Sequence, residues 1–543
     1  MTSAAIAVLA VVALAVPVRA APDRLLAVAG LGYDGRVRLG AWTPVWIDLV
    51  APPGGVDGML QIETSGPLGQ DGTSYAVPVR AAPGARLRVF VPVIFYNARS
   101  PGYVRLHDRL GQVASLALPR LQPMDEIVAV LSAEPLGIEG VAARLAGLGV
   151  VQVEPEALPP VWQAYQAVRL LVVRDLDERR VTDEQRRAIL QWVWSGGRLL
   201  AMPSGDDLRH LRGPTLGPLL ARTGGGVGLG RVTVWDHDAA LPEHRGRPTQ
   251  EQAWEQVLAG ALPPVGPGLE TTVPQDRGAH PRTQAAIGML VLAYVLAVRW
   301  LSRFLAGLRP ASVLATVLVL AVATGAAAWT ATLARRAGAG VVVSSMIEGL
   351  PGTGHGLLAV AARPVYVDGE GAAVVGGRDL LLRPSVPAQL RVVHSEETSI
   401  EGGARGVLLT GTAIVPLAIT GTYAATPEGA EVTVANRSGH RLEPAWAYAA
   451  GRVQAIPAVG PANGPALRIA LDDRRWQVPG RLQRADPNPA LLAWAFARLE
   501  AGAIIREETA WLLGWIRDPS GGLSWGNRPE QPLQLVLVPL SAP

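Results

Sequence analysis

The spacing of apolar residues changes several times along the 543-residue chain, and each change marks a different kind of element. Between residues 25 and 119, apolar positions recur in short alternating or β-rich runs such as Trp46–Val50 and Leu87–Val91. Turn residues, for example Pro52-Pro53-Gly54-Gly55, separate these runs. Short strands at regular spacing predict an N-terminal β-sandwich over residues 24–120.

From residue 124 the pattern alternates between buried strands and amphipathic helices. Glu126–Leu131 and Leu170–Val173 are apolar runs typical of strands buried on both faces. One helix is predicted over Gly137–Leu148, and Thr182 with Gln185 forms a capping box before a second helix. Alternating β and α elements predict a parallel sheet with helices on both faces, a flavodoxin-like α/β domain over residues 124–238.

Two longer apolar stretches, residues 285–305 and 311–334, approach or exceed the about 20 residues that an α-helix needs to cross a bilayer. They predict a two-helix transmembrane hairpin, with a buried helical hairpin in a soluble core as the alternative. Arg299, Arg303 and Arg309 lie at or near the turn between them, and the positive-inside rule places such a turn in the cytoplasm.

The remaining segments complete the expected organisation. Residues 4–18 are continuously apolar and small residues follow them, which predicts a signal peptide over residues 1–20, either cleaved or retained as an anchor. Residues 239–282 are rich in Pro, Gly and charge and predict a linker. Recurring short strands predict a C-terminal β-rich, sandwich-like domain over residues 338–543. The expected fold class is therefore multidomain, α/β plus all-β, at the plasma membrane with both large parts extracytoplasmic.

Composition removes several kinds of chemistry. The chain has no Cys, so it has no disulfide, thiolate metal site or Cys nucleophile. No Lys occurs either, which excludes a Schiff base and the lysine of a phosphate-binding P-loop. The net charge is only +4, and basic residues do not cluster with aromatic ones, so nucleic-acid binding is not expected. The glycine run at residues 224–230 lacks the dinucleotide-binding spacing, and no cofactor is predicted.

The stretch VRLLVVRD followed by TDEQRRAILQWVWSGGRLLAMPSGD resembles the class I glutamine amidotransferase-like domain of bacterial membrane proteins. The resemblance covers residues 125–238. In active members a strand that follows such a glycine pair ends in a nucleophilic Cys on a tight elbow. Gly205 matches the elbow glycine, but Pro203 lies at the Cys position, so the resemblance implies the fold and a catalytically degenerate domain.

Two polar groups remain as candidate sites. Ser204, Asp206, Asp207 and His210 follow one strand at the edge where open α/β sheets usually bind ligands, and they could form a Ser/Asp/His hydrolase site. The alternative is a polar turn that caps the next helix. Residues 236–238, Asp-His-Asp, could offer metal ligands or could be ordinary surface, and no metal site is predicted there.

Two functions follow from these features. The first is a non-enzymatic, membrane-anchored extracytoplasmic protein that binds a partner protein or a cell-envelope polymer, with the lipid bilayer and a membrane or envelope protein as partners. The alternative is an extracytoplasmic hydrolase that uses the Ser/Asp/His loop. A fold alone does not choose between them, because similar scaffolds carry unrelated functions.

Overall fold

A computed structural model describes most of the chain outside the N-terminus and residues 260–340. The described residues are 25–67, 71–174, 176–204, 212–214, 216–220, 226–244, 247–259, 341–351, 353–364, 372–376, 380–384, 391–394, 398–401, 408–426, 429–449, 452–461, 466–471, 477, 488–500, 510–517, 523–524 and 533–541.

The N-terminal part is built of β-strands, as its alternating pattern predicts, and they pair antiparallel except for the short β2 and β9. In the third of these strands Val45, Ile47 and Leu49 point inward and are fully buried, while the alternating residues Trp46 and Asp48 are half-buried. The strands are β1 (Leu26–Leu31), β2 (Arg36–Val37), β3 (Trp42–Val50), β4 (Val56–Ser65), β5 (Asp71–Ala81), β6 (Arg86–Ile94), β7 (Gly102–Asp108), β8 (Gly111–Ala117) and β9 (Gln122–Pro123).

A mainly parallel sheet follows. Its order is β11-β10-β12-β13-β15-β14, and every neighbouring pair except β14–β15 runs parallel. The elements are β10 (Glu126–Leu131), α1 (Ile138–Ala142), β11 (Leu148–Gln152), β12 (Val168–Val173), α2 (Asp183–Trp194), β13 (Arg198–Ala201), α3 (Gly217–Leu220), β14 (Gly226–Val227), β15 (Gly230–Val234) and α4 (Pro248–Ala259). Two 3-10 turns, Pro155–Ala157 and Trp162–Tyr165, connect β11 to β12.

The described residues of the C-terminal part pair mainly antiparallel, although β16 and β30 run parallel, and they include one helix. Its strands are β16 (Val341–Leu350), β17 (His355–Pro364), β18 (Ala372–Gly376), β19 (Leu381–Pro384), β20 (Arg391–His394), β21 (Thr398–Glu401), β22 (Leu409–Pro416), β23 (Ile419–Thr426), β24 (Gly429–Asn436), β25 (Ala445–Ala449), β26 (Arg452–Ile456), β27 (Leu467–Leu471), β28 (Ala510–Arg517), β29 (Leu523–Ser524) and β30 (Leu533–Leu540), and the helix is α5 (Pro489–Glu500). Asn488 caps α5: its Oδ1 accepts a hydrogen bond from the backbone N–H of Leu491 at 3.1 Å.

Strands from the two ends of the chain share one sheet. Its order is β29-β18-β21-β20-β5-β4-β7-β8, and β20 joins β5 in parallel with Val392 opposite Tyr75. A second eight-stranded sheet has the order β19-β22-β17-β16-β30-β28-β25-β26. One hydrophobic core includes N-terminal residues such as Leu60 and C-terminal residues such as Val536, and we call it the shared core. Helix α5 covers the opposite face of the second sheet through Leu491 and Phe496.

The predicted fold class is wrong. The molecule is mostly β, and its N- and C-terminal strands do not form two separate sandwiches because they pair with each other across one sheet. The parallel sheet is not a flavodoxin-like domain, although α2 packs on one of its faces and α4 on the other. The helix predicted over Gly137–Leu148 is only the five-residue α1, and part of one sheet face packs on β-strand residues Leu357 and Ile414 instead of a helix.

The predicted transmembrane hairpin and plasma-membrane location are also corrected. In the described part of the chain, no helix combines the length and the apolar character that crossing a bilayer requires. The longest helices there, α2, α4 and α5, have 12 residues each, against about 20 for a span. The predicted spans at residues 285–305 and 311–334 and the predicted signal peptide at residues 1–20 lie outside the described residues.

Candidate functional site

The carboxyl edge of the parallel sheet holds the predicted Ser204. Strand β13 ends at Ala201, and the backbone N–H of Met202 donates to the carbonyl of Val173 at 3.0 Å, so the exit of β13 still follows β12. Pro203 is buried and Ser204 half-buried just beyond. Asp206, Asp207 and His210 lie outside the described residues, so the proposed Ser/Asp/His grouping stays a prediction.

The same edge contains a buried ion pair that the sequence did not indicate. Arg174 follows β12 and Asp238 follows β15; their side chains are 8% and 0% exposed. The guanidinium binds the carboxylate through two parallel hydrogen bonds, Nε to Oδ1 at 2.8 Å and Nη2 to Oδ2 at 2.9 Å. Asp238 Oδ1 also accepts from the backbone N–H of Ala240 at 2.9 Å. Such bidentate pairing is the strong form of a charge-assisted hydrogen bond.

This ion pair fixes the exits of two strands to each other. Glu134 lies in the loop that follows β10. Its Oε1 is 3.9 Å from Arg174 Nη2, and its side chain is half exposed. Breaking a buried pair by removing one partner typically costs about 3–5 kcal/mol, because the other charge is left buried without compensation. Asp238 is therefore held by a structural contact at the edge where open α/β sheets usually bind ligands.

The Asp-His-Asp run at residues 236–238 does not converge on a metal. Asp238 turns inward to Arg174, whereas the Asp236 side chain is 100% exposed. His237 Nδ1 lies 2.9 Å from Asp236 Oδ1, and its Nε2 lies 2.9 Å from Gln250 Oε1. The hydrogen bond with His237 lowers the pKa of Asp236. Within the described residues, no group of three His, Cys, Asp or Glu side chains could hold a metal ion.

The opposite, amino edge of this sheet has a different electrostatic character. Glu126, Arg169, Arg198 and Arg231 stand at or next to the first residue of β10, β12, β13 and β15. Arg198 is the direct register partner of Arg231, so both side chains leave the same face of the sheet. We call Arg169, Arg198 and Arg231 the arginine row.

Two members of the arginine row cap the last turn of α4. Arg169 Nη2 donates to the carbonyl of Leu258, and Arg198 Nη2 donates to the carbonyl of Val257. Arg169 Nη1 also pairs with Glu126. Cations near a helix C-terminus are favourable because the last carbonyls have no helical partner and carry partial negative charge.

The positive charges of the arginine row act on one another. Burial is the main cause that lowers the pKa of Arg198, and the neighbouring positive charges of Arg169 and Arg231 lower it further. Arg231 is exposed, and within the described residues its guanidinium makes no ion pair or side-chain hydrogen bond. The sequence does contain a signal for this row, which the sequence analysis missed. A charged residue lies at or next to the start of four strands of one parallel sheet.

Similarity of this chain to known proteins is limited to one N-terminal segment and a weak structural likeness. Residues 27–121 match the model of a domain of unknown function, DUF8726. No curated protein matches the chain. Among solved structures, the chain has a weak likeness, with a TM-score of 0.19 and 9% identity over 82% of this chain and 78% of the other, to a glycosyl hydrolase family 2 (GH2) member from Bacteroides cellulosilyticus DSM 14838. A likeness this weak carries no argument about fold or function.

Proposed function

We propose that this protein is a non-enzymatic binding protein whose ligand is a partner protein or a polymer. The observation that carries the proposal is the state of the carboxyl edge of the parallel sheet. Asp238, a carboxylate placed where such sheets usually meet their ligands, is fully buried in a bidentate ion pair with Arg174.

A catalytic acid or base must reach the substrate within hydrogen-bond distance. Asp238 is closed off from solvent, and Arg174, which pairs with it, is only 8% exposed. His237, the histidine next to this pair, has both ring nitrogens engaged by Asp236 and Gln250. These contacts favour a rigid scaffold that presents a surface, in which the polar groups of this edge stabilise the fold.

The test is a comparison of hydrolysis and binding with the same full-length protein. We expect no turnover of ester, amide or glycoside substrates above the uncatalysed rate, and no difference between the wild type, Ser204→Ala and His210→Ala. Ser132→Ala is the matched control, because Ser132 follows β10 at the same edge and its hydroxyl donates to the Glu134 carbonyl at 2.7 Å.

Turnover that is lost in Ser204→Ala and His210→Ala but kept in Ser132→Ala would overturn the proposal in favour of a hydrolase. Binding is measured in parallel by copurification under mild conditions and by light scattering. A stoichiometric complex with a partner protein or polymer is the expected result. A monomer with no measurable affinity for a partner protein or a polymer contradicts the proposal.

A further inference from the structure

Trp46 and Phe90 form an aromatic pair on the outer face of the N-terminal strands. They are direct register partners on β3 and β6, and their ring centroids lie 4.8 Å apart at an interplanar angle of 55°. Their chain neighbours Val45 and Val91 are fully buried in the shared core, so Trp46 and Phe90 point away from it. Both are half-buried, and neither belongs to a hydrophobic core formed by the described residues. We call this pair the aromatic patch.

The indole of Trp46 presents carbon rather than a polar atom to solvent. Its Nε1 atom is buried, so the exposed part of the side chain is carbon only. A Cβ at Gly30, the register partner on β1, would lie 3.1 Å from Trp46 Cδ1. The missing side chain at Gly30 therefore lets the ring lie across β1. The aromatic patch is thus a flat carbon surface that extends over neighbouring strands of one sheet.

A pair of charged side chains lies next to the aromatic patch on the same face. Asp48 and Arg88 are register partners, each two residues along its strand from a member of the patch. Arg88 Nε donates to Asp48 Oδ1 at 2.9 Å and Nη2 to Oδ2 at 3.3 Å, while the two side chains stay 55% and 46% exposed. A guanidinium and a carboxylate each have more hydrogen-bonding sites than this pairing uses, so the pair can also hydrogen-bond a ligand.

The 3-10 turn Pro155–Ala157 brings a second charged group to this region. Arg180 Nη2 donates to Glu156 Oε2 at 2.7 Å and to Glu154 Oε2 at 2.9 Å. The hydrogen bond from Arg180 is the main cause that lowers the pKa of Glu156, and the charge of Arg88 contributes to the lowering. Arg88 is therefore close enough to act on Glu156, although each forms its ion pair with another residue. Paired charges thus continue from the strands to the turn along one side of the patch.

We propose that the aromatic patch binds an uncharged saccharide segment of a polymer, which stacks on Trp46 and Phe90 and hydrogen-bonds to the Asp48–Arg88 pair. This inference rests on the proposed binding function and names the chemical class of its polymer. The C–H groups on the face of a sugar ring carry partial positive charge, and the face of an aromatic ring is negative. Sugar hydroxyls both donate and accept, and Arg88 and Asp48 together offer both kinds of partner.

The pairing of the charges favours an uncharged saccharide over an ionic ligand. Asp48 and Arg88 already neutralise each other, so an anion or a cation would have to compete with a bidentate ion pair for its partner. A neutral hydroxyl can bind beside the intact pair. All four side chains are on β3 and β6 rather than on a loop, so a ligand pays little for ordering the protein.

The experiment is a calorimetric titration of the full-length protein at two ionic strengths. The uncharged probes are cello-, malto-, manno- and chito-oligosaccharides, and oligogalacturonate is the acidic probe. Trp46→Ala and Arg88→Ala are the test variants, and Trp46→Phe keeps an aromatic face. Tyr103→Ala and Arg80→Ala are the matched controls, because Tyr103 is a 49% exposed aromatic residue on β7 of the other sheet and Arg80 forms an exposed ion pair with Asp57 at 3.2 Å.

We expect saturable binding of at least one uncharged oligosaccharide, with an affinity that does not change with ionic strength. Binding should be about tenfold weaker in Trp46→Ala and Arg88→Ala, closer to wild type in Trp46→Phe and unchanged in both controls. The proposal is overturned if no uncharged oligosaccharide binds, if oligogalacturonate binds more tightly than all of them, or if the test variants bind like their controls. Arg88→Ala keeps the test decisive if Trp46→Ala fails to fold.

Copurification separates this failure from a failure of the proposed function. If no oligosaccharide binds but a partner protein copurifies with the wild type and is lost from Trp46→Ala, the aromatic patch serves a protein. That result overturns the saccharide and leaves the binding function standing. If neither a partner protein nor a polymer binds, both proposals fall.

Discussion

Gln534 is a buried amide whose hydrogen-bonding capacity is unused within the described residues. Its side chain is 0% exposed, and neither its Nε2 nor its Oε1 has a partner there. Its register neighbour Ser345 on β16 is also fully buried, and its hydroxyl likewise lacks a partner among those residues. Gln534 projects toward the same side of its sheet as Val536, into the shared core.

We therefore expect Gln534→Leu to raise the free energy of unfolding by about 1–3 kcal/mol, because removal of an unpaired buried polar group recovers its desolvation cost. Gln163→Leu is the matched control and should destabilise the protein, since the buried Gln163 Nε2 donates to the Thr412 carbonyl at 2.9 Å. Chemical denaturation measures both. A loss of stability in Gln534→Leu equal to that of Gln163→Leu would indicate that an internal water satisfies this amide.

His394 couples the shared core to pH. It lies at the end of β20 between Trp42 and Tyr75, with its ring centroid 5.8 Å from that of Trp42 and 6.2 Å from that of Tyr75. Burial lowers the pKa of His394 from 6.5 to about 4, and a hydrogen bond with the backbone of Pro92 opposes this shift. The neutral imidazole is thus the form that the fold accommodates, because the charged form would lose its hydration.

The sign of the pH dependence follows from this lowered pKa. Between pH 4 and 6.5 the unfolded chain binds the proton and the folded chain does not, so stability is complete above about pH 6.5 and falls as the pH drops toward 4. The loss due to His394 alone reaches at most about 3 kcal/mol. Denaturation at several pH values should show that His394→Phe removes this part of the acid sensitivity. Parallel pH profiles for both proteins would contradict it.

At the scale of elements, helix α2 is the part that the sequence specifies most directly. The predicted capping box is confirmed: Thr182 Oγ1 accepts from the Gln185 N–H at 3.3 Å, and Gln185 Oε1 accepts from the Thr182 N–H at 2.8 Å. The Gln185 side chain also donates to the Leu158 carbonyl at 2.7 Å and so ties the helix to the end of the 3-10 turn Pro155–Ala157.

Thr182→Ala should lower the free energy of unfolding by about 1 kcal/mol, since it removes the hydroxyl that caps α2. Thr182→Ser keeps that hydroxyl and should stay within a few tenths of a kcal/mol of the wild type. Urea denaturation followed by far-UV circular dichroism measures both variants. Equal destabilisation by Ala and Ser would show that the threonine methyl, rather than the cap, is what matters.

Elements with strong local signals were predictable, whereas weaker ones were not. Strand β10 matches the predicted bounds, because a continuous apolar run marks it. The predicted helix at Gly137–Leu148 contains Gly140 and Gly147, which disfavour helix, and only α1 forms there. For the candidate site, the position of Ser204 at a strand end was predictable. The Arg174–Asp238 pair was not, because it joins residues 64 positions apart.

On the scale of the whole molecule, local patterns could not show which strands pair across the chain. The alternation in residues 24–120 predicts strands correctly. It does not show which strand lies next to the outermost one, because period-2 patterning specifies which face of a strand is buried and not the identity of its neighbour. Strand β5 is completed by β20, more than 300 residues later, through the pairs Arg391 with Ser74 and Val393 with Ala76. This pairing turns two predicted domains into one folding unit with a shared core.

The shared core leads to a prediction about the N-terminal part by itself. A fragment of residues 25–123 contains β1 to β9 but lacks Val392, Ile400 and Leu382, which are fully buried in the shared core. It would also expose β5 as an unpaired edge strand, which favours aggregation. We expect the fragment to lack cooperative unfolding and dispersed NMR amide signals, whereas the full chain shows both. The control is the same fragment mixed with residues 341–541, which should regain dispersed signals. A fragment that unfolds cooperatively without its C-terminal partner would show that the N-terminal strands form an independent sandwich after all.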